Sequence, residues 1–384
     1  LGPTVPEFLA RAARAVPPQR DRRVLVVIEL NGGNDGINTV VPFADEGYAK
    51  HRRTLRLPAE RLLKVSDQVA LHPALRDAAR LLESSRLAIV QGVGYPNPNR
   101  SHFESMAIWQ TARLRPREDS LGWLGRALDD SQPPGNGAPG AALIGLDAPP
   151  RALRGQQSTA AALAHLDDLV LAGSVDPKRV LGGHQRGGDL KAYVRRSWLD
   201  AYTTAERLKE AARVEDRGAA YPGTALADRL RLVARLLKAG FGTRVYYTIQ
   251  GGYDTHYSQL VAHEQLLAEL GGAVRAFLDD LAAARLADRV ALLVFSEFGR
   301  TVRENGSAGT DHGTAGPVFL AGAGVKAGLV GTTPRLTDLD PKHGDVKVGI
   351  DFRRVYATVL QDWLGLPAKD EVGGPFERLA LFQT

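Results

Sequence analysis

Short apolar runs alternate with longer amphipathic stretches along most of the chain. Residues 24–30 (Val-Leu-Val-Val-Ile-Glu-Leu) are nearly all aliphatic and rich in β-branched side chains, the pattern of a strand buried on both faces. Residues 86–93, 142–146, 244–249, 289–295 and 317–321 read as further strands. Helical spacing of apolar positions covers 75–82, 101–111, 258–285 and 352–364. Strands alternating with helices predict an α/β fold, a mainly parallel sheet with helices on both faces.

The middle of the chain departs from this rhythm. Residues 131–140 are rich in Pro and Gly, and 151–188 mix helix-like and loop-like pieces. Two amphipathic helices are expected over 191–215 and 221–238. We read 150–240 as a helical insertion, or cap, carried by a single domain spanning residues 1–384.

Composition narrows the classes. A chain of 384 residues with 44% hydrophobic and 24% charged residues has the make-up of a soluble globular protein. Its net charge of +6 is spread along the chain without a Lys/Arg block, so no nucleic-acid partner is expected. No apolar run is long enough to span a bilayer. With no cysteine there is neither a disulfide nor a thiolate metal site. The opening Leu1-Gly-Pro-Thr-Val-Pro lacks an initiator Met and reads as the remainder after removal of a leader.

The chemistry-bearing residues gather where apolar runs stop. Asp35 follows the first strand in Asn31-Gly-Gly-Asn-Asp35-Gly, where it suits either a cation ligand or an Asp-Gly turn; the doubled glycine lets backbone approach a ligand closely. Asp254 and His256 follow a later strand; two residues apart on extended chain, they face the same way and could reach one metal ion. The same pair could instead open the next helix. Glu297 and Arg300 end another strand, as a metal ligand and a bidentate anion clamp or as a surface ion pair. Asp311 and His312 lie in a Gly/Ser/Asn-rich loop, a place for function more than for core packing. Arg100, Ser101 and His102 stand where a loop enters a helix. Ser101 there is either an N-cap, boxed with Glu104, or a hydroxyl whose ionised form the helix N-terminus favours. His51, His165, His184, His263 and His343 lack such company and read as surface or loop residues, and His72 as a helix opener. Walker-type, dinucleotide-loop and Gly-x-Ser-x-Gly patterns are absent.

These segments resemble the DUF1501 family of bacterial proteins. The resemblance rests on Leu30-Asn-Gly-Gly-Asn-Asp-Gly-Ile-Asn-Thr, Leu71-His-Pro-Ala-Leu, Arg100-Ser-His-Phe-Glu, Gly122-Trp-Leu-Gly-Arg, Gly251-Gly-Tyr-Asp-Thr-His, Phe295-Ser-Glu-Phe-Gly-Arg-Thr and Gly309-Thr-Asp-His-Gly, in order from about residue 20 to 365. The resemblance implies an alkaline-phosphatase/sulfatase-like three-layer sandwich, a twin-arginine export leader and a periplasmic or extracellular location. It also implies one or two divalent metals, zinc first, with calcium, magnesium or manganese as alternatives. Asp35, Asp254, His256, Glu297 and His312 match the metal ligands of that superfamily, and Ser101 its nucleophile. Arg100 or Arg300 would steady a small anionic ester.

Two departures stand out. Only Thr255 separates the middle Asp and His, where the superfamily has three residues. Phe298 follows Glu297 where a second-site His is usual, so that site loses a ligand unless Asp311 or His102 replaces it. The expected activity is metal-dependent hydrolysis of phosphate or sulfate esters. The alternatives are a non-catalytic ligand-binding protein of the same fold and a phosphotransferase or mutase.

Overall fold

A computed structural model describes residues 22–131, 140–145, 149–158, 160–163 and 219–383. Its strands are β1 (Val24–Leu30), β2 (Val40–Val41), β3 (Leu63–Lys64), β4 (Ala70–Leu71), β5 (Leu87–Gly94), β6 (Ala141–Ile144), β7 (Ala160–Leu163), β8 (Val245–Gln250), β9 (Val290–Ser296), β10 (Gly316–Ala321), β11 (Gly328–Val330) and β12 (Ile350–Asp351). Nine of them form one sheet in the order β11-β5-β10-β9-β1-β8-β6-β7, with β12 paired beside β5; β2, β4 and β3 make a small second sheet. The large sheet is parallel except at β10, which runs against both β5 and β9. The fold is α/β, with a mixed, mostly parallel sheet.

Alternation along β1 shows why its run is unbroken. Val24, Val26, Ile28 and Leu30 enter a core shared with the helices Arg76–Glu83, Ala225–Lys238 and Gln259–Ala283. Leu25 and Val27 enter a second core, against His102–Thr111, Trp123–Asp129 and Phe352–Thr358. Both faces of the strand are therefore buried, and each aliphatic side chain contributes roughly 1.5–3 kcal/mol of burial. Helices on either side of the sheet give three layers.

The expected strands lie within a few residues of the observed ones, and the helix over 258–285 is observed as Gln259–Ala283. The segment 352–364 divides into an α-helix, Phe352–Thr358, and a wider π-type turn, Val359–Leu364. Periodicity did not reveal β7, β11 or β12, which are four, three and two residues long. Of the expected insertion, residues 164–218 lie outside the described residues, including the helix expected at 191–215. Its two ends are part of the core. β7 is a strand of the large sheet, and Ala225–Lys238 buries Leu226, Leu230, Val233 and Leu237 against it. Among the described residues, no helix is long and apolar enough to cross a membrane.

Candidate metal centre

Strand direction alone brings the candidate residues to one edge. β1, β8 and β9 are adjacent and parallel, ending at Leu30, Gln250 and Ser296. β5 runs the same way, because β10 is antiparallel to both β5 and β9. The loops after these four strands therefore emerge together at the carboxyl edge of the sheet, where open α/β folds form their binding crevices. Gly32 fits the loops to one another. It has φ 120°, and a Cβ on it would lie 2.4 Å from the backbone nitrogen of Asp254. The doubled glycine thus lets two loops meet, backbone on backbone.

Three imidazoles converge on one carboxylate oxygen. Asp254 Oδ1 lies 3.4 Å from His102 Nε2, 3.0 Å from His256 Nε2 and 3.2 Å from His312 Nε2. His256 Nε2 and His312 Nε2 are themselves 2.9 Å apart. The opposite nitrogen of each ring is already engaged. His102 Nδ1 donates to Glu297 Oε1 at 2.7 Å, His256 Nδ1 to Asp311 Oδ1 at 3.1 Å, and His312 Nδ1 to the Arg100 carbonyl at 2.7 Å. Carboxylates and carbonyls only accept, so each Nδ1 carries a proton and each ring turns its Nε2 toward Asp254. His102 Nε2 is buried with no hydrogen-bond partner.

This donor set fits a divalent ion of the zinc type. Zinc–nitrogen bonds of about 2.0–2.1 Å set tetrahedral ligand atoms about 3.3 Å apart, close to the separations above. The outer acceptors on Nδ1 are the usual companions of metal-bound histidines. Among the described residues, His102, Asp254 and His312 form a group whose ligand atoms all lie within 4.8 Å of one another; His256 stands beside it, 3.0 Å from Asp254 Oδ1 and 2.9 Å from His312 Nε2.

The electrostatics differ from one member of the cluster to the next. Burial raises the Asp254 carboxyl, but the Arg300 guanidinium outweighs it and holds the group at about 2. Burial lowers His312, keeping its ring neutral near pH 7. The hydrogen bond to Glu297 raises His102, against the pull of its burial.

The structure separates the sequence candidates into those that meet and those that do not. Asp254, His256 and His312 meet, joined by His102. Asp35 does not. It is fully buried, and Arg52 grips it at 2.6 and 2.9 Å while Gln259 Nε2 donates to it at 2.5 Å and the amides of Ile37 and Asn38 complete its shell. Expected as a ligand, Asp35 is instead a buried ion pair and helix cap, held at about 2 by Arg52 against the effect of burial. Glu297 is likewise no direct donor. Its Oε1 accepts from Gly32 N–H at 2.9 Å and from His102, and its Oε2 faces Ser296 Oγ at 2.9 Å. It holds the His102 ring in place. Asp311 does the same for His256 while staying well exposed.

Arg300 is spent on the fold, while Arg100 is tied down through one nitrogen and keeps an unpartnered Nε. Arg300 is buried, and its donors go to the carbonyls of Gly32, Gly33, Tyr253 and Thr310 and to Asp254. Arg100 pairs with Asp345 and reaches the His343 carbonyl. Ser101 occupies the N-cap position of His102–Thr111 but makes no side-chain cap bond, so its hydroxyl is not spent on the helix. The expected box with Glu104 does not form. Phe298 packs its ring 4.9 Å from His312 and 5.0 Å from His102, walling the cluster.

Sequence reasoning missed Arg52 and His263. His263 is buried, with Nε2 2.9 Å from Asn34 Oδ1, and is not a surface residue. Its signal was there: Gln259 and His263 begin the inward stripe that continues through Leu267, Leu270 and Val274. His72 is buried beside it, with ring centroids 5.8 Å apart, away from the cluster. His165 and His184 lie outside the described residues. A cleft lined by Ile37, Val40, Gln91, Pro317 and Leu336 carries no titratable side chain and stands apart.

The model of DUF1501, described as a protein of unknown function, matches residues 22–372. The chain belongs to the DUF1501 family. No curated protein matches it in sequence. Among solved structures it is similar to murine ectonucleotide pyrophosphatase/phosphodiesterase 5 in complex with AMP, at 9% identity and TM-score 0.44, covering 94% of this chain and 100% of that one. It is similar to the PsFucS1 sulfatase from Pseudoalteromonas, at 11% identity and TM-score 0.37, covering 85% and 68%. A protein in the alkaline phosphatase superfamily from Vibrio parahaemolyticus matches at 10% identity and TM-score 0.36, covering 82% and 63%. Likeness at this level assigns no residue role and no activity to this DUF1501 chain.

Proposed function

We propose that the protein is a metal-dependent hydrolase of phosphate or sulfate esters, working at the Asp254 cluster with Ser101 as nucleophile. One observation carries the reading. Three imidazole Nε2 atoms converge on one carboxylate oxygen, and the first of these imidazoles, His102, opens a helix whose N-cap Ser101 does not spend its hydroxyl on the helix. His102, His256, His312 and Asp254 would hold the cation, zinc by its affinity for imidazole. When bound, a divalent ion supplies positive charge for the charge that develops on the transferred group.

The chain's own residues account for the rest. Glu297, Asp311 and the Arg100 carbonyl keep the Nδ1–H tautomers, so the rings present bases and not donors. Ser101 stands at the N-terminus of a ten-residue helix, whose dipole and free amides favour an anionic ester and an ionised hydroxyl. Its Oγ would bond to phosphorus or sulfur as the ester alcohol leaves, with the Ser101 proton passing to solvent. Water then displaces Ser101 and releases the free acid.

A panel of aryl phosphate, phosphodiester and sulfate esters, run with zinc-loaded protein and with S101A, tests this. Turnover that Ser101→Ala abolishes supports it; zinc-loaded protein inert toward the whole panel contradicts it. The second reading, a binding protein without turnover, gains from Phe298 standing against the cluster and from Arg300 being spent on Asp254 and backbone carbonyls. Under that reading Ser101→Ala changes nothing. We further propose that the protein works outside the cytoplasm, as the family resemblance implies; fractionation of the native cell that finds it in the cytoplasm would sink this.

A further inference from the structure

We infer that the site takes singly charged esters, sulfate monoesters or phosphodiesters, in preference to doubly charged phosphate monoesters. The inference rests on the hydrolase reading above and narrows its substrate class. Charge around the cluster is the reason. Three carboxylates bear on it: Asp254 among the imidazoles, Glu297 behind His102 and Asp311 behind His256. Against them, among the described residues, Arg300 is the guanidinium hydrogen-bonded to the cluster, and its remaining donors are taken by backbone carbonyls. Arg100 offers the cluster its carbonyl oxygen, while its guanidinium faces Asp345. One divalent ion brings this arrangement close to neutral, which leaves little positive potential for a dianion.

Phe298 closes the other route to positive charge. Its ring lies against both His102 and His312, where a further ligand would be needed to hold a second ion. Glu297 and Asp35, the carboxylates expected to hold that ion, have their oxygens answered by Gly32, Ser296 and His102 and by Arg52 and Gln259. A phosphate monoester carries about two negative charges above its second pKa of about 6. A sulfate monoester or phosphodiester carries a single charge at any pH near neutrality. The exposed rings of Phe103 and Tyr257, sequence neighbours of His102 and His256, make aryl esters reasonable probes.

The test is calorimetric titration of zinc-loaded protein near pH 8 with phenyl sulfate, diphenyl phosphate and phenyl phosphate. The two singly charged esters are expected to bind at least about tenfold more tightly than phenyl phosphate. Asp311→Asn, which keeps an acceptor for His256 but removes one negative charge, should shrink that gap several-fold. Equal or tighter binding of phenyl phosphate overturns the inference, as does a gap that Asp311→Asn leaves unchanged. Failure of all three esters to bind zinc-loaded protein also overturns it. Turnover of the same esters is scored separately: the expected order of binding without hydrolysis would uphold the charge preference and sink the hydrolase reading.

Discussion

Two polar clusters hang from the same loops, built from the same residue types. In one, Asp35, Arg52, Gln259, Asn34 and His263 are buried, and acceptors meet donors. Asp35 receives two bonds from Arg52 and one from Gln259, whose own Oε1 accepts from Thr255 and Thr310. In the other, His256 Nε2 and His312 Nε2 stand 2.9 Å apart and share the Asp254 carboxylate oxygen, and His102 Nε2 has no hydrogen-bond partner. Two lone pairs at that distance repel unless a positive centre lies between them, whether a shared proton or a metal ion. Residue type does not separate scaffold from site here. Whether the lone pairs are answered does.

The sharpest way to break the comparison is to unpair the closed cluster. Arg52→Ala leaves the Asp35 carboxylate buried without its cation and is expected to cost about 3–5 kcal/mol, read from urea or thermal unfolding. A loss below about 1 kcal/mol would show the pair is not the scaffold described. His312→Ala should do the reverse. It is expected to weaken zinc binding more than about 100-fold, beyond the loss of an outer partner, while the metal-free protein unfolds within about 1 kcal/mol of the parent.

Glu297→Gln probes the border between the clusters. The amide can no longer act as a pure acceptor for His102 Nδ1–H, and zinc affinity should fall about 10–100-fold without loss of the fold. A variant that binds zinc as before would show that Glu297 does not set the His102 tautomer.

Acid offers a gentler test of the closed cluster. Asp35 sits at about 2 in the folded chain against an ordinary 3.8. Its ionised form therefore stabilises the fold fully above about pH 4, and that stability is lost as pH falls through about 2. The loss is roughly 2 kcal/mol, measured by unfolding at stepped pH against R52A, in which this component should disappear. The smallest expected effect is that of Ser101→Ala on metal: zinc affinity should stay within about twofold, since its hydroxyl caps nothing and Ser101 is no ligand.

Much of this was legible in the sequence, for identifiable reasons. The unbroken run Val24–Leu30 could only be a doubly buried strand, and parallel neighbours bring the loops at their carboxyl ends to one edge. The i, i+2 spacing of Asp254 and His256 predicted that the two side chains meet, and His256 Nε2 lies 3.0 Å from Asp254 Oδ1. Asp35 could not be read that way. Its fate depends on Arg52, which sits in the polar stretch Lys50-His51-Arg52-Arg53 and looks like surface until tertiary packing buries it. Arg300 carried the same ambiguity, since a guanidinium that clamps an anion and one that ties down four carbonyls look alike in sequence. The role of His102 rests on Glu297, 195 residues away, which holds the ring in place.

The most direct measurement is titration of metal-free protein with zinc, followed by calorimetry and repeated on H102A, H256A and H312A. One zinc ion per chain is expected, with affinity falling in every variant. Two equivalent ions per chain, or no binding that depends on these histidines, would contradict a single three-histidine, one-carboxylate centre.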